Sequence, residues 1–398
     1  MNKAQPSNPP ASAASALLAP SRRSAVPPFM VMDVMAAAAR IEEAGGRVVH
    51  MEVGQPAAPA PSTAIAAARA ALGSPVGYTE ALGMPSLRAR ISRHYAEHYG
   101  ARVDPARIVV TTGSSAGFVL AFLALFEPGD RVAVAEPGYP PYRHILAALG
   151  CEPVPIPISS ATRWALTVEA VMAAHRTKPL AGMLVASPAN PTGTMLDAAH
   201  LAALAEASRR AGIKFISDEI YHGLDYAFAA ATAAKLSDDA VVINSFSKYF
   251  CMTGWRVGWM VVPEPLVRAI ERLQQNLAIS VPTLSQVAAE AAFDGRKEME
   301  AVKRGYVENR RILIESLPKA GLDRFLPADG AFYLYADVSR FSDDSLAFAK
   351  KMLEEAHVAA TPGVDFDPVR GKHFVRFCYA GSAADMHEAV ERIARWLK

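Results

Sequence analysis

The stretch AVVINSFSKYFCMTGWRVGW, residues 240–259, places a lysine shortly after a run of residues that is typical of a buried strand. The run is short, apolar and β-branched, which predicts a strand that ends near Asn244. Lys248 therefore lies on a loop, among hydroxyl-bearing and small residues, with Arg256 eight positions further on. Most lysines are solvated surface residues, but these neighbours favour a functional role for this one.

Around this stretch, short apolar strands alternate with helical segments rich in alanine and leucine. The predicted strands are RIVVTT, RVAVAEP, AGMLVASP, IKFISDE, AVVINSFS and RVGWMVV, in a region that begins near residue 105. Such alternation predicts an α/β domain in which helices cover both faces of a mostly parallel sheet. We assign residues 54–290 to this large domain.

The two ends of the chain have a different character. GAFYLYADV and HFVRFCYAG predict strands, and DMHEAVERIARWLK predicts a closing amphipathic helix. We assign residues 29–53 and 291–398 to a smaller α+β domain packed on the first. Residues 1–28 are rich in alanine, serine and proline and are predicted to be a mobile N-terminal arm, with an organellar transit peptide as the alternative.

Composition narrows the classes of function. The chain has 398 residues and a net charge of +2, which gives no electrostatic footprint for nucleic acid or an anionic membrane. Its three cysteines, Cys151, Cys251 and Cys378, are far apart, which argues against a disulfide framework or a metal site. No apolar run approaches the length of a membrane span. We expect a cytoplasmic protein without a bound metal.

The loops after the predicted strands hold the candidate functional residues, because ligands of parallel sheets bind outside the carboxyl ends of strands. Ser114 and Ser115 lead into an apolar helix and could hold a phosphate, although such residues also simply cap helices. Tyr139 lies between prolines and could stack on a flat ligand, and Asn190 lies in the turn ANPTG. Structural turns are the alternative for both.

Asp218 follows the apolar run IKFIS, so its carboxylate is expected to be partly buried and to need a cation. Lys214 is the only cationic residue near it in sequence, so a ligand is a candidate partner. Pyridoxal phosphate requires an amine for a Schiff base, an acid facing its pyridine nitrogen, donors for its phosphate and an aromatic stacking partner. Lys248 can supply the amine and Asp218 the acid.

The segments SFSKYFCMTGWRVGW, SPANPTGT and SDEIY resemble the signatures of class I/II pyridoxal-phosphate aminotransferases of the aspartate aminotransferase superfamily, fold type I. The resemblance extends from VGQP near residue 54 to FVRFCYA near residue 380. It implies a large domain with a mostly parallel seven-stranded sheet, a smaller α+β domain, bound pyridoxal phosphate, and a homodimer with active sites at the interface. It also implies transfer of an amino group between an L-amino acid and a 2-oxo acid by a ping-pong Schiff-base mechanism.

The resemblance assigns roles to individual residues. Lys248 would form the Schiff base and carry the proton, Asp218 would face the pyridine nitrogen, and Tyr221 with Asn190 would bind the phenolate oxygen. Tyr139 would stack on the ring, and Tyr78 would reach the phosphate from the neighbouring subunit. The phosphate would be held by Ser114, Ser115, Ala116, Ser245 and Arg256.

Arg376 is a candidate on independent grounds. It lies in the predicted strand HFVRFCYA, both faces of which are otherwise apolar, so it is expected to be buried and to meet an anion. A structural salt bridge is one interpretation, and a fork that binds the α-carboxylate of a substrate is the other. The resemblance favours the second, and it places the backbone of Gly54 against the same carboxylate.

Two further interpretations stay open at this stage. A C–S β-lyase of the same fold shares most of these motifs, and a regulator could bind the cofactor without turnover. For the substrate, the predicted pocket loops VGQPAAPAP, GSSAGF and PGYPPYRH offer only Arg143 and His144 as cations. Neutral or aromatic amino donors are therefore expected to be better substrates than aspartate.

Overall fold

The computed structural model describes residues 19–398, so residues 1–18 of the predicted arm lie outside the described residues. Residues 19–28 are exposed and form a single 3-10 turn at Arg22–Ser24. The mobility of the arm stays a prediction.

The strands of the described residues form a seven-stranded sheet, a three-stranded sheet and a two-stranded pair. In chain order they are β1 (Val49–His50), β2 (Ile108–Thr111), β3 (Arg131–Glu136), β4 (Glu152–Pro157), β5 (Gly182–Ala186), β6 (Lys214–Asp218), β7 (Val241–Ser245), β8 (Gly258–Val261), β9 (Tyr333–Asp337), β10 (Val358–Ala359), β11 (Thr361–Pro362) and β12 (Phe374–Cys378).

The α-helices lie between these strands and at both ends of the described chain. In chain order they are α1 (Met30–Glu43), α2 (Ser62–Ala71), α3 (Pro85–Tyr99), α4 (Gly113–Leu125), α5 (Pro140–Ala148), α6 (Val168–Thr177), α7 (Ala198–Ala211), α8 (Ala233–Leu236), α9 (Glu264–Leu277), α10 (Thr283–Ala292), α11 (Arg296–Ser316), α12 (Ser345–Ala356) and α13 (Ala383–Trp396).

The seven-stranded sheet confirms the predicted fold class. Its strand order is β2-β8-β7-β6-β5-β3-β4. The pairs from β7 to β4 are parallel, whereas β8 is antiparallel to both β2 and β7. Because β8 opposes both of its neighbours, β2 runs in the same direction as the other five strands. The carboxyl ends of six strands therefore meet at one edge of the sheet.

Strand β4, with the sequence EPVPIP, was not predicted, because proline cannot donate a hydrogen bond to a sheet. Pro153, Pro155 and Pro157 occupy alternate positions of this edge strand, so their nitrogens all face away from β3. The intervening positions face β3 instead. There the N–H groups of Glu152 and Ile158 donate to carbonyls on the β3 side, at 2.8 and 3.0 Å. The strand thus pairs on one edge and is blocked on the other.

Two apolar layers enclose the sheet. In β7, Val242 packs into one layer, whereas Val241 and Ile243 pack into the other, as alternating side chains of a central strand must. Helices α3, α7 and α10 contribute apolar residues to the first layer, and α4, α5 and α9 contribute to the second. Helix α4 is apolar on nearly every side because it lies against the sheet under other helices.

The remaining strands form a smaller unit. Strands β11, β12 and β9 make an antiparallel sheet, and β1 pairs with β10. All five come from residues before 54 or after 291, as the predicted small domain requires, and the domain boundaries themselves stay a prediction. The three cysteines are buried and unpaired. No helix within residues 19–398 has the length and hydrophobicity that a membrane span requires.

Candidate active site

A cavity of about 340 Å³ opens at the edge of the sheet where the strand ends meet. It collects residues from the loops after β2, β3, β5, β6 and β7, together with residues of the smaller unit. The predicted site residues that line it are Gly54, Ser114, Ser115, Tyr139, Asn190, Asp218, Tyr221, Lys248, Arg256 and Arg376.

Lys248 lines the cavity with its side chain partly buried. Its Nζ donates a hydrogen bond to the carbonyl oxygen of Gly54 at 2.6 Å. Burial, together with the positive charges of Arg376 and Arg256, lowers the pKa of Lys248 to about 8, against the opposing effects of Cys378 and Asp218. A substantial fraction of this amine is therefore uncharged near neutral pH, which a nucleophilic lysine requires.

Asp218 is the buried acid and ends β6, with 2% of its surface exposed. Its carboxylate accepts hydrogen bonds from the Tyr142 hydroxyl and from the N–H of Ile220, the latter at 3.0 Å. No ion pair among the described residues includes it. Burial raises the pKa of Asp218 to about 7, although both hydrogen bonds lower it. A cation beside this carboxylate would restore its charged form.

One end of the cavity is built for an anion. Gly113 begins α4 with φ +72°, and a Cβ atom there would collide with the guanidinium of Arg256. Glycine, which adopts this positive φ without strain, therefore leaves room for Arg256 beside the first turn of α4, where Ser114 and Ser115 also lie. A guanidinium, two hydroxyls and the free N–H groups of a helix N-terminus are the donor set that a phosphate prefers.

Three predicted residues do not line the cavity. Ala116 lies in the first turn of α4 but outside the lining. Ser245 is buried and its hydroxyl donates to the hydroxyl of Ser247 at 2.9 Å, so Ser247 reaches the cavity in its place. Tyr78 is 84% exposed in the isolated chain.

Arg376 lies on β12 and is 2% exposed. Its guanidinium donates to Asn190 Oδ1 at 2.9 Å, to Thr361 Oγ1 at 3.0 Å and to the carbonyl of Glu52. All three acceptors are neutral, and no ion pair within residues 19–398 includes Arg376. The structural salt bridge is therefore not observed. The Nε atom is buried without a partner, and the guanidinium lines the cavity as an unneutralised charge.

Several lining residues were not predicted from the sequence. Tyr142 contacts Asp218, and the hydroxyl of Tyr333 lies 2.7 Å from that of Tyr221. The start of α1 adds an apolar wall. The lining residues that were not predicted include Phe29, Val31, Met32, Tyr142, Ser247 and Tyr333. Tyr142 follows Tyr139 by one helical turn, which is a usable signal, whereas Tyr333 has no sequence relation to Tyr221.

Arg143 and His144, the two other candidate cations, do not line this cavity. The guanidinium of Arg143 donates to the backbone carbonyl of Asp365 instead. The cations that line the cavity within the described part of the chain are therefore Lys248, Arg256 and Arg376.

Comparison with known proteins identifies relatives over nearly the whole chain. The family model for aminotransferases of class I and II matches residues 47–393. A protein of Mycobacterium tuberculosis named valine–pyruvate aminotransferase is 50% identical over 380 residues, covering 94% of this chain and 97% of the relative. The (5-formylfuran-3-yl)methyl phosphate transaminase of Methanocaldococcus jannaschii is 34% identical, covering 93% and 96%. The crystal structure of an aminotransferase from Mycobacterium tuberculosis is 49% identical with a TM-score of 0.93, covering 95% and 99%.

The lowered pKa of Lys248 predicts its reactivity in the ligand-free protein. An amine-directed acylating reagent, read residue by residue by peptide mass spectrometry, should modify Lys248 at a rate that rises through pH 8 and levels off above it. The rate rises with pH because only the neutral amine reacts, and it levels off above pH 8 because burial favours the neutral form. The pKa of an exposed lysine in a peptide is ~10.4. A Lys248 rate that still rises steeply at that higher pH would contradict the buried, desolvated amine.

Proposed function

Because the chain belongs to the class I and II aminotransferase family, we propose that its cavity binds pyridoxal phosphate and transfers an amino group from an L-amino acid to a 2-oxo acid. The transfer would follow a ping-pong order, in which the first product leaves before the second substrate binds. One observation carries the cofactor assignment: within residues 19–398 the buried Asp218 carboxylate has no cationic partner, and it lines the same cavity as the amine of Lys248.

The donor set of the cavity fits this cofactor from end to end. Gly113, Ser114, Ser115 and Arg256 would hold the phosphate, and Asp218 would pair with the protonated pyridine nitrogen. When bound, the cofactor supplies an aldehyde that condenses with amines and an electron-withdrawing ring that stabilises the carbanion of the substrate. Ala116 and Ser245 would support the phosphate site without lining it, since Ala116 follows Ser115 in α4 and Ser245 donates to Ser247.

The protein's own groups would bind the substrate and the cofactor and would carry the proton. Arg376 would bind the α-carboxylate of the substrate with its unneutralised guanidinium, oriented by Asn190. Lys248, released from the Gly54 carbonyl, would take the proton from the substrate's α-carbon. It would then deliver this proton to the carbon that carried the aldehyde of the cofactor. The hydroxyl of Tyr221 and the amide of Asn190 would hold the phenolate oxygen of the cofactor, and Tyr139 would lie against its ring.

Amino-group transfer is favoured over the two alternatives. The two named relatives are aminotransferases, and the similarity to this chain covers almost their whole length. This supports amino-group transfer over β-elimination at a C–S bond. They also support catalysis over cofactor binding without turnover. The cytoplasmic location expected from the sequence stays a prediction.

Lys248→Ala should abolish transamination while the protein still folds and binds pyridoxal phosphate non-covalently. Loss of the amine removes both the covalent link and the proton carrier, so turnover should fall by about a thousandfold or more. Lys297→Ala, at an exposed position of α11, is the control and should keep the wild-type rate. Circular dichroism checks the fold of both variants. Retention of most of the wild-type turnover by Lys248→Ala would refute the assignment.

We propose that the active unit is a homodimer in which Tyr78 contacts the phosphate bound by the partner subunit. The exposure of Tyr78 in the isolated chain and its position outside the cavity support this arrangement. Mixing Lys248→Ala with Tyr78→Phe tests it, because a hybrid dimer would contain one intact site and regain activity after subunit exchange. No gain on mixing, or a fully active monomer by light scattering, would contradict a shared site.

We propose that the substrate is a neutral amino acid. Phe29, Val31 and Met32 form an apolar wall. The cations that line the cavity among the described residues are Lys248, Arg256 and Arg376, and the proposal assigns all three to the cofactor or to the α-carboxylate. An acidic side chain there would be buried without a partner, which costs several kcal/mol, whereas an apolar one is stabilised by burial. The name of the Mycobacterium tuberculosis relative supports an aliphatic donor such as valine.

Neutral donors should therefore exceed aspartate in kcat/KM by about tenfold or more. Asparagine is the matched control, since it differs from aspartate by charge and hardly by size. Valine, leucine, methionine, phenylalanine and tyrosine complete the panel, with 2-oxoglutarate or pyruvate as acceptor. A panel in which aspartate is tenfold better than all the neutral donors would show that a cation reaches the pocket from elsewhere.

A further inference from the structure

Tyr333 connects the groups that surround Lys248 although no spacing in the sequence relates it to them. It lies on β9, is 1% exposed, and its hydroxyl is 2.7 Å from the hydroxyl of Tyr221. The guanidinium carbon of Arg376 lies 4.4 Å from the centre of its ring. A Cβ atom on Gly54 would overlap the Tyr333 hydroxyl, so glycine at position 54 gives this hydroxyl its place.

We propose that Tyr333 is a positioning residue that donates its proton to Tyr221, and that it thereby lowers the affinity of the Lys248 nitrogen for its proton when the cofactor is bound. This inference rests on the proposed function. The Tyr333 ring would in addition support the Arg376 guanidinium, but the two effects separate, because the hydroxyl serves the first and the ring serves the second.

The direction of the hydrogen bond follows from counting protons. Tyr221 and Tyr333 each carry one hydroxyl proton, and burial raises the pKa of both phenols, so both stay protonated at neutral pH. If Tyr221 donates its proton to the phenolate oxygen of the cofactor, it can only accept from Tyr333. Among the described residues, Tyr221 is the hydrogen-bond partner of the Tyr333 hydroxyl.

The consequence for Lys248 is electrostatic. A donor on the phenolate oxygen draws negative charge away from the proton that this oxygen shares with the Lys248 nitrogen, so the nitrogen holds the proton less tightly. A hydroxyl that already accepts a hydrogen bond is a stronger donor, so Tyr333 strengthens the effect of Tyr221. Removing the Tyr333 hydroxyl should weaken it.

Other charged and titratable groups face Tyr221, Tyr333 and Lys248, and the test must leave these other groups unsubstituted. They are Arg376 and Cys378 on β12, Asp218 at the end of β6, Arg256 before β8, and Tyr139 before α5. Tyr333→Phe alters none of them and keeps the ring beside Arg376.

Tyr335→Phe is a matched control on the same strand. Tyr335 lies two residues further along β9, is 2% exposed, and stacks on Phe374. Its hydroxyl is buried without a hydrogen-bond partner, and it does not line the cavity. The substitution therefore removes the same atom from the same strand, at a site without a bond to Tyr221.

The experiment titrates the visible absorbance of bound pyridoxal phosphate with pH, in wild type and in both variants. We expect Tyr333→Phe to raise the midpoint by roughly 0.3–1 pH unit, the equivalent of one modest hydrogen bond, and Tyr335→Phe to leave it unchanged. KM for the amino donor should stay near the wild-type value in Tyr333→Phe, because the ring remains beside Arg376. In Tyr221→Phe, adding Tyr333→Phe should give no further shift.

Three results would overturn the inference: an unchanged midpoint in Tyr333→Phe, an equal shift in Tyr335→Phe, or a further shift of full size in the Tyr221→Phe background. A wild-type protein that takes up pyridoxal phosphate without any covalent absorbance band would overturn the proposed function itself, and the inference with it. The two failures are therefore distinguishable in the same titration.

Discussion

The central constraint on this cavity is a buried carboxylate that has no cationic partner within the described part of the chain. Asp218 ends a central strand of the sheet and is 2% exposed, and among residues 19–398 its hydrogen-bond donors are the Tyr142 hydroxyl and one backbone N–H. Burying an ionised carboxylate is unfavourable unless it is paired, so the free protein holds the pKa of Asp218 near 7. A ligand that brings a cation would restore the charged form of Asp218, and the protonated pyridine nitrogen of the proposed cofactor would supply that cation.

The sheet accounts for the assembly of the other groups. Because six strands run in one direction, the loops after them converge, and the large unit contributes the amine of Lys248 and the anion site around Arg256. The smaller unit adds Arg376 from β12 and Tyr333 from β9. Under the proposed function, the cofactor would lie against the large sheet, and the substrate would lie where the smaller unit and the start of α1 line the cavity. A change in the relative position of the two units would alter substrate contacts before cofactor contacts.

The sequence was sufficient where function depends on local patterns. Alternating strands and helices predicted the large sheet. Lys248, Asp218 and Arg376 could be selected because a charged residue in or beside an apolar strand is costly to bury without a partner. It failed where contacts join distant segments. Strand β4 was hidden by its prolines, and the reversed direction of β8 leaves no trace in composition. Tyr333 is 112 residues from Tyr221, so only the folded chain brings the two hydroxyls together.

The most direct test of the account is a single half-reaction. Protein loaded with pyridoxal phosphate is mixed with valine in the absence of any oxo acid, and the absorbance of the bound cofactor is followed while the products are identified. The account predicts that the visible band is lost as one equivalent of the 2-oxo acid appears per site, with no free ammonia, and that added pyruvate restores the band. Release of ammonia in step with the oxo acid, or a band that no amino acid changes, would contradict amino-group transfer by this cavity.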